Sequence, residues 1–216
     1  MKKFSIIPIV ILIVLTGCFK ERIIGSGTTT SEKRNVSGTF TEIRIEGSAN
    51  VKVKQGDTIE VIAKDFPNLL PYLRTTVSGN TLVVDFQSDT WISNSVAEVT
   101  VTLPKLTGVE ISGSGDIGSL NNLTCEDLGI LISGSGDISL AGKGKKMNAK
   151  ISGSGDVRTF DFICDDIKAN VTGSGNMDLN PVKTLDATIS GSGDITYKGN
   201  PSVNSQVTGS GRIRKF

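Results

Sequence analysis

The chain has no histidine, few aromatic side chains and only three cysteines. Without an imidazole, serine–histidine nucleophilic catalysis and histidine-ligated metal sites are excluded. Aromatic residues make up 5% of the chain and Trp91 is the single tryptophan, so the stacking platforms that hold sugars in many glycan-cleaving enzymes are scarce. These absences predict a protein that is not an enzyme and that uses no cofactor or resident metal.

An excess of charge of one sign is absent as well. The 23 basic and 22 acidic side chains give a formal net charge of +1, which becomes about −1 when Lys2 and Lys3 are removed with the N-terminal segment. A protein that binds nucleic acid or anionic lipid through its net charge carries a basic surface, and this composition provides none. We therefore expect no nucleic-acid partner.

Residues 1–17 have the pattern of a bacterial lipoprotein signal peptide. Lys2 and Lys3 precede an apolar run, Ile6 to Leu15, that is too short to span a membrane comfortably as a mature helix. The sequence Leu15-Thr16-Gly17-Cys18 resembles a lipobox. The resemblance implies cleavage before Cys18, attachment of diacylglyceryl to its sulfur, and acylation of its new amine, commonly with palmitate. An uncleaved anchor helix is the alternative.

The residues after Cys18 concern sorting and spacing. Under the lipobox resemblance, Phe19 and Lys20 in place of an acidic residue favour retention in the outer membrane, where several acyl chains make a stable anchor. Residues 18–35 are polar and lack periodicity, so we expect a flexible tether that lifts the folded part off the membrane. The predicted location is the bacterial cell envelope, with the head facing either the exterior or the periplasm.

The hexapeptide ISGSGD and its near copies recur through the second half of the chain. The first glycines of the six copies are spaced by 21, 19, 20, 18 and 18 residues. A nearly fixed period of this size indicates a solenoid, in which each repeat buries its apolar face against its neighbours. The copies are Ile111–Asp116, Ile132–Asp137, Ile151–Asp156, Val171–Asn176, Ile189–Asp194 and Val207–Arg212.

Period-2 alternation precedes each motif and indicates β-strands with one buried face. Apolar side chains such as Leu128, Ile130 and Ile132 share one parity, and polar residues occupy the positions between them. We predict an all-β fold, a right-handed parallel β-solenoid with rungs of about 20 residues, five to six in number. A two-sheet β-roll is the fallback.

The part of the chain before the repeats is predicted to be an irregular, partly antiparallel β meander. Residues 36–104 contain short alternating runs, a hairpin signal at Ser78-Gly79-Asn80 and a single short helical candidate, Phe66–Leu73. The segment Ile45–Val51 echoes the later motif, so the alternative for this part is a set of degenerate rungs. We assign one head domain to residues 36–216, divided into this irregular part and the repeats of residues 105–216.

If strand parity continues through the motif, both glycines point inward and Ser114, Asp116 and their equivalents form outward columns. A column of carboxylates one rung apart suggests calcium, yet the GSGD motif departs from the calcium-binding GGxGxD repeat in spacing and period. The alternative is that these side chains cap the corners by bonding to backbone N–H groups. The same column could be interpreted as a pair of glycosidase carboxylates, but its uniformity differentiates no acid from a base.

Two cysteines, Cys125 and Cys164, remain after cleavage of the signal peptide. Each lies nine residues before the first glycine of its repeat, and one complete repeat separates them. At about 4.8 Å per rung their Cα atoms are about 10 Å apart, beyond the reach of a disulfide. We predict two free thiols that fill small spaces in the core.

The order of motifs along the chain resembles the head GIN domain family of autotransporter adhesins. The resemblance rests on the lipobox, on Gly38–Phe40 with Ile43–Val51 and Gln55-Gly56, on Gly79–Leu82, and on the repeated SGSGD blocks, and it covers residues 36–216. It implies an all-β, β-helix-like head displayed on the cell envelope by a lipoprotein. The family supplies no established catalytic or binding residues that could be transferred to this chain.

We therefore expect a lipid-anchored β-solenoid that binds an extracellular glycan or protein in the manner of an adhesin and performs no catalysis. One alternative is a carbohydrate-active enzyme on a β-helix scaffold. The other is a structural lipoprotein that faces the periplasm.

Overall fold

The computed structural model describes residues 21–216, which form an all-β protein. Within these residues no helix is long and apolar enough to cross a membrane. The signal peptide and Cys18 lie outside the described residues. The strands are β1 (Glu21–Ile24), β2 (Thr30–Arg34), β3 (Glu42–Gly47), β4 (Asn50–Gln55), β5 (Glu60–Asp65), β6 (Leu73–Ser78), β7 (Thr81–Phe86), β8 (Thr90–Ser93), β9 (Glu98–Leu103), β10 (Gly108–Gly113), β11 (Ile117–Ser119), β12 (Leu123–Gly134), β13 (Ile138–Ser139), β14 (Gly142–Gly153), β15 (Val157–Gly173), β16 (Met177–Gly191), β17 (Ile195–Tyr197), β18 (Ser202–Gly209) and β19 (Ile213–Lys215).

The repeats form a parallel β-solenoid, which confirms the predicted fold class. Strands that lead into the motif pair in register from rung to rung, so that Ile111 lies beside Ile132, which lies beside Ile151. A second parallel ladder follows the motif corner, where Ile117 lies beside Ile138 and Ile138 beside Val157. The alternating apolar residues of both ladders are buried and form one continuous core. Stacking of such side chains, each worth about 1.5–3 kcal/mol when fully buried, holds the rungs together.

The motif glycines mark a corner where consecutive rungs approach closely. The first glycine of each copy has a positive φ, as at Gly134 (144°), which L side chains rarely adopt. A Cβ on the second glycine would lie about 2 Å from a backbone oxygen of the preceding rung, as at Gly136 beside Gly115. The predicted parity through the motif is confirmed, since Ser114 and Asp116 are exposed while Gly113 is partly buried and Gly115 is buried. The glycines serve both a bend and a close approach, because the backbone of the preceding rung occupies the space beside them.

The first half of the chain contains a true rung, and its position in the stack does not follow sequence order. Strands β3 and β4 pair in parallel with β10 and β11 on one side and with β7 and β9 on the other. The chain thus builds this rung, goes outward to the end of the stack, and returns to the other side of it. The echo of the motif at Ile45–Val51 is therefore structural, since Gly47 pairs with Gly113.

Antiparallel strands close the end of the stack beyond β7 and β9. Strand β6 pairs with β7 through the predicted hairpin at Gly79, which has φ 60°. Strand β5 pairs with β9, and β2 pairs with β5. A 3-10 turn, Leu70–Tyr72, is all that forms of the helical candidate, with Pro71 inside it. This end of the solenoid is a partly antiparallel cap, as predicted.

One expectation about local structure is wrong. Residues 21–34, predicted as part of a flexible tether, include β1 and β2, because their backbone groups find partners in β8 and β5. Further along the chain, after the motif corners, Leu120 is 56% exposed and Phe160 is only partly buried. The corners after the motif vary in length, so the parity of the strand does not extend through them.

Candidate functional site

The outward column that follows the motif glycines is a ladder of backbone caps. In each rung the Oδ1 atom of the Asp or Asn accepts the N–H of the equivalent residue in the next rung, at 2.9–3.0 Å. The ladder consists of Asn50, Asp116, Asp137, Asp156, Asn176 and Asp194 and ends on the N–H of Arg212. Asn50 and Asn176 serve as well as the aspartates, so the ladder needs an acceptor oxygen and not a charge.

The second carboxylate oxygens of this column are partly occupied too. The guanidinium of Arg158 donates to Oδ2 of Asp137 (2.7 Å) and to Oδ2 of Asp156 (2.9 Å). These bonds, that to Asp137 first, raise the pKa of Arg158. Within residues 21–216 no group of three or more Asp, Glu, Cys or His side chains is arranged to hold a metal ion. The capping interpretation of the column is therefore the one that the geometry supports.

The serine column contributes through its backbone. The N–H of Ser135 donates to the carbonyl of Gly113 at 2.9 Å, and the same bond recurs from rung to rung. The serine side chains Ser114, Ser135, Ser154, Ser174, Ser192 and Ser210 are exposed. The Ser and Asp columns chosen from sequence thus lie together at one corner, where they fasten successive rungs.

A shallow groove crosses the outward side of the strands that lead into the motif, which we call the front face. Its floor is the column of residues that pair in register across these strands, with Gly108 beside Gly129 at its centre. Glu42 and Thr81 lie at one end, and Asn148, Lys168 and Asp186 at the other. Two adjoining depressions of about 300 and 400 Å³, which share Gly129 and Asn148, make up the groove.

The two floor glycines differ from the motif glycines because the backbone does not require them. A Cβ on Gly129 would meet its nearest atom, the carbonyl oxygen of Thr107, at 3.7 Å, which is ordinary contact. Neither Gly108 nor Gly129 has a positive φ. Strand interiors disfavour glycine, and a glycine there often marks a place where another molecule or backbone comes close. Their lack of side chains opens the groove and exposes the sheet.

The groove has polar walls of mixed charge. On the side toward the motif stand Glu110, Leu131 and Lys150, and Arg44 holds Glu110 through a 2.8 Å bond from its Nε. The other wall follows a corner where the sign of charge alternates from rung to rung, with Asp127 beside Lys146 and Lys146 beside Asp166. Donors and acceptors therefore alternate along the groove at the spacing of the rungs, about 4.8 Å.

Ion pairs reinforce the alternating corner. Lys145 pairs with Glu126 at 2.5 Å and Lys183 pairs with Asp165 at 2.9 Å, each with a partner in the preceding rung. Both carboxylates raise the pKa of the lysine that they contact. The acidic pairs at this corner, Glu126-Asp127 and Asp165-Asp166, are exposed or partly exposed and alternate with lysines.

Sequence reasoning missed this groove, although a signal was present. Gly108 and Gly129 each lie three residues before the first Ile of their motif copy, outside the recurring hexapeptide. They are two of 25 glycines in the chain, and no recurring motif singles them out. The other four repeats have Asn, Lys, Asp and Asn at this position, so the two glycines are a local departure from the repeat.

The two cysteines of the described chain are free and buried, as predicted. Cys125 pairs in register with Gly144, which pairs with Cys164, so one rung stands between them. Burial raises the pKa of both thiols to about 11. The thiols are core groups and are remote from any nucleophilic role.

Solved structures share this fold. A protein from Bacteroides fragilis NCTC 9343, described as a "putative adhesin", is 22% identical, with a TM-score of 0.76 over 90% of this chain and 100% of that one. A second such adhesin, from Parabacteroides distasonis ATCC 8503, is 22% identical, with a TM-score of 0.59 over 91% of this chain and 100% of that one. A "putative lipid binding protein" from the same organism is 24% identical, with a TM-score of 0.54 over 91% and 100%. At these identities the likeness shows the fold alone.

A family profile matches most of the sequence, whereas no curated protein matches the chain. The profile covers residues 39–201 and is described as "Putative auto-transporter adhesin, head GIN domain". The match spans the first rung, most of the cap and the first five motif copies, and it bears out the resemblance drawn from the motifs. The chain belongs to the head GIN domain family.

Proposed function

We propose that this protein is a lipid-anchored adhesin-type head of the bacterial envelope that binds an extended extracellular glycan in the groove of the front face. The family is described as adhesin-like, which supports the general role. The observation that carries the ligand class is the glycine floor at Gly108 and Gly129, where neither a positive φ nor a backbone atom closer than 3.7 Å requires glycine.

The dimensions of the groove suit a chain that lies along the solenoid. From Glu42 to Asp186 the floor column spans five rung steps, about 24 Å at the usual strand spacing. The sugar units of an extended polysaccharide repeat at a spacing similar to that of the rungs. Successive units can therefore meet successive rungs in the same way.

The chemistry of the walls suits hydroxyl groups, which both donate and accept. Lysine and asparagine side chains donate along the groove, and Asp127, Asp166 and Asp186 accept. The groove is open and shallow, and its lining contains no aromatic ring. We expect weak affinity for each site, so that adhesion depends on many copies at one surface.

The test is a glycan-binding screen of the purified mature protein, followed by the same measurement on Gly129→Val. Valine suits a strand position and would fill the centre of the groove, with its Cβ in ordinary contact, at 3.7 Å, with the carbonyl oxygen of Thr107 in the neighbouring rung. We expect an unchanged or slightly raised melting temperature and at least a roughly tenfold loss of affinity, which corresponds to about 1.4 kcal/mol.

The matched control is Gln206→Val, which places the same side chain on the front face four rungs from Gly129 and one rung beyond the end of the groove. It should leave binding unchanged. Equal binding by both variants and the wild type would refute the groove as the site. A folded protein that binds no glycan but does bind a matrix protein would replace the ligand class.

The enzyme alternative is tested by incubating the protein with a polysaccharide panel and measuring new reducing ends or unsaturated products. The carboxylates of the motif column all perform the same backbone-capping task, which supports a binding role and provides no distinct acid and base. Any turnover that is lost with a folded groove variant would overturn the binding-only proposal.

The anchor and the side of the membrane that the head faces are parts of the proposal that need their own measurements. Mass spectrometry of the N-terminal peptide should show a diacylglyceryl group on Cys18 and an acylated amine. Protease treatment of intact cells should cut an external head and spare a periplasmic one. An unmodified Cys18 would contradict the lipid anchor, and a fully protected head would favour the structural lipoprotein.

A further inference from the structure

A small two-stranded sheet near the N-terminus carries an exposed apolar patch. Strands β1 and β8 pair in parallel, with Arg22 beside Trp91 and Ile24 beside Ser93. Paired residues of parallel strands point to the same side, and the guanidinium of Arg22 donates to Ser93 Oγ at 3.2 Å. Trp91 is 64% exposed and Ile24 is 54% exposed. We call these four residues the N-terminal patch.

The sheet that carries the patch is fixed to the head. The N–H of Gly25 donates to the carbonyl of Ser93 at 2.9 Å, and Asn68 Nδ2 donates to the carbonyl of Ile24 at 2.8 Å. Gly25 is buried so tightly that a Cβ there would lie 2.4 Å from the ring of Phe66. The patch therefore moves with the solenoid and does not swing on a linker.

The patch lies within a short distance of the predicted anchor. Four residue steps separate Cys18 from Arg22, which is at most about 14 Å of fully extended chain. Trp91 pairs with Arg22, and the neighbouring strand is about 4.8 Å farther. A lipid attached to Cys18 therefore keeps β1 and β8 within about 20 Å of the membrane surface, which allows both strands to reach the headgroup layer.

We infer that the N-terminal patch docks on the bilayer that holds the lipid of Cys18, with the indole of Trp91 seated at the interface. This inference rests on the proposed lipid anchor. Tryptophan favours the membrane interface because its ring is apolar and its N–H is polar, and an aliphatic neighbour such as Ile24 adds buried area. Arg22 can reach lipid phosphates, and Asp89, two residues before Trp91 along the chain, is exposed and remains in water.

The chain provides its own reporter, because Trp91 is its only tryptophan. The acylated protein, purified from bacterial membranes, is placed in phosphatidylcholine vesicles with and without lipid that is brominated on the acyl chains. We expect a blue-shifted emission, roughly twofold quenching by the brominated lipid, and protection from aqueous acrylamide, as for an indole at the interface.

The matched control moves the reporter away from the membrane. In the double variant Trp91→Phe, Val182→Trp the reporter stands on β16, where Val182 is 50% exposed on the side of the solenoid. This variant should be quenched by acrylamide and not by brominated lipid.

Three results are distinguishable when acylation of Cys18 is verified by mass spectrometry on the same sample. Quenching of Trp91 by brominated lipid, absent in the control, supports the docked orientation. Acylated, vesicle-bound protein in which Trp91 behaves as the control does would overturn the docked orientation and leave the anchor standing. A mass without acyl groups would overturn both.

Discussion

The first rung and the later repeats form the same corner with different residues. The corner of the first rung reads Gly47-Ser48-Ala49-Asn50, whereas the first repeat has Gly113-Ser114-Gly115-Asp116. Ala49 is fully buried, although every later copy has glycine at this position. A Cβ on Gly115 would lie 2.0 Å from the carbonyl oxygen of Ala49 itself. The second glycine of the motif is thus required by the rung beneath it.

The first glycine has a different cause. Gly47 has φ 110° and a Cβ there would meet nothing within 4 Å, so its conformation alone demands glycine. In the repeats the same position has both a positive φ and a close backbone neighbour, as at Gly134 beside Gly113. The strands β7 and β9 before the first rung bring no motif corner against it, so only the local bend constrains Gly47. At Gly47 the positive φ alone requires glycine, whereas at Gly134 a positive φ and a close backbone contact both require it.

The largest expected effect comes from placing alanine where the first rung already has it. Gly155→Ala would force a methyl group to within about 2 Å of the carbonyl oxygen of Gly136. Backbone cannot move aside as a side chain does, so we expect a loss of about 3 kcal/mol in the free energy of unfolding, at the upper end for overpacking. Urea unfolding followed by circular dichroism measures it.

Two glycine exchanges serve as controls for this prediction. Gly129→Ala, on the open front face, should stabilise by about 0.5 kcal/mol because the unfolded chain loses freedom and no contact is strained. Ala49→Gly should destabilise by about 1 kcal/mol or less. A Gly155→Ala variant as stable as Gly129→Ala would show that the rungs can separate locally and that the steric explanation is wrong.

The second largest effect on the free energy of unfolding is expected for the ladder of Asp and Asn backbone caps. Asp137→Ala removes the acceptor of the N–H of Asp156 and one partner of Arg158, so we expect a loss of about 1.5 kcal/mol. Asp137→Asn retains the acceptor, as Asn50 and Asn176 do naturally, and should lose less than half as much. Equal losses in the two variants would mean that charge, and not capping, is what the column supplies.

The reactivity of the two thiols distinguishes the folded repeats from the unfolded chain. Burial raises the pKa of Cys125 from 9.0 to about 11, and that of Cys164 likewise, so at pH 8 the thiolate fraction of the folded protein is about 100-fold lower than that of the unfolded chain. Alkylation should add no mass to the native protein and two labels after denaturation without reductant. One label or none would contradict the free thiols.

The same shift fixes the sign of a pH effect. The unfolded chain loses its thiol protons first as pH rises through 9.0, so the free energy of unfolding should be unaffected by the thiols below pH 9 and fall between pH 9 and about 11. Cys125→Ser with Cys164→Ser should remove this slope. A variant that keeps the full slope would assign it to other groups.

Removal or addition of calcium is expected to have no effect on stability. Because the motif carboxylates bond to backbone N–H groups, neither EDTA nor millimolar calcium should change the melting temperature. Calorimetry on the mature protein measures this. A rise in the melting temperature with calcium that disappears in Asp116→Asn would restore the ion-binding interpretation of the column.

The regular part of the fold was predictable because the same apolar alternation and the same glycine motif recur in every repeat. The alternation around Ile132 and Ile151 predicts the buried parity, and the spacing of the motif predicts in-register rungs. The position of β3 and β4 between β7, β9 and β10, β11 was not predictable, because no local pattern records which strand will return to which edge. The strands β1 and β2 were missed for the same reason, since their partners are distant in sequence.

The groove and the N-terminal patch required coordinates for a further reason. Gly129 differs from a motif glycine only in what surrounds its missing Cβ, and that is a property of packing. Trp91 alone, without the register that places Ile24 and Arg22 beside it, indicates no surface. The Asp column was found from sequence, but its role depended on where the neighbouring N–H groups pointed.

The out-of-order rung means that the solenoid can unravel from one end only. Partners of β3 lie 66 residues ahead in β10, so the capped end closes by long-range contacts, while each later rung adds to the one before it. No further rung packs on the last one within the described residues, and its Val203 and Val207 side chains are exposed, so this rung can detach first. Under a pulling force, such a molecule would lengthen one rung at a time from the end that carries β18 and β19 while its capped end held.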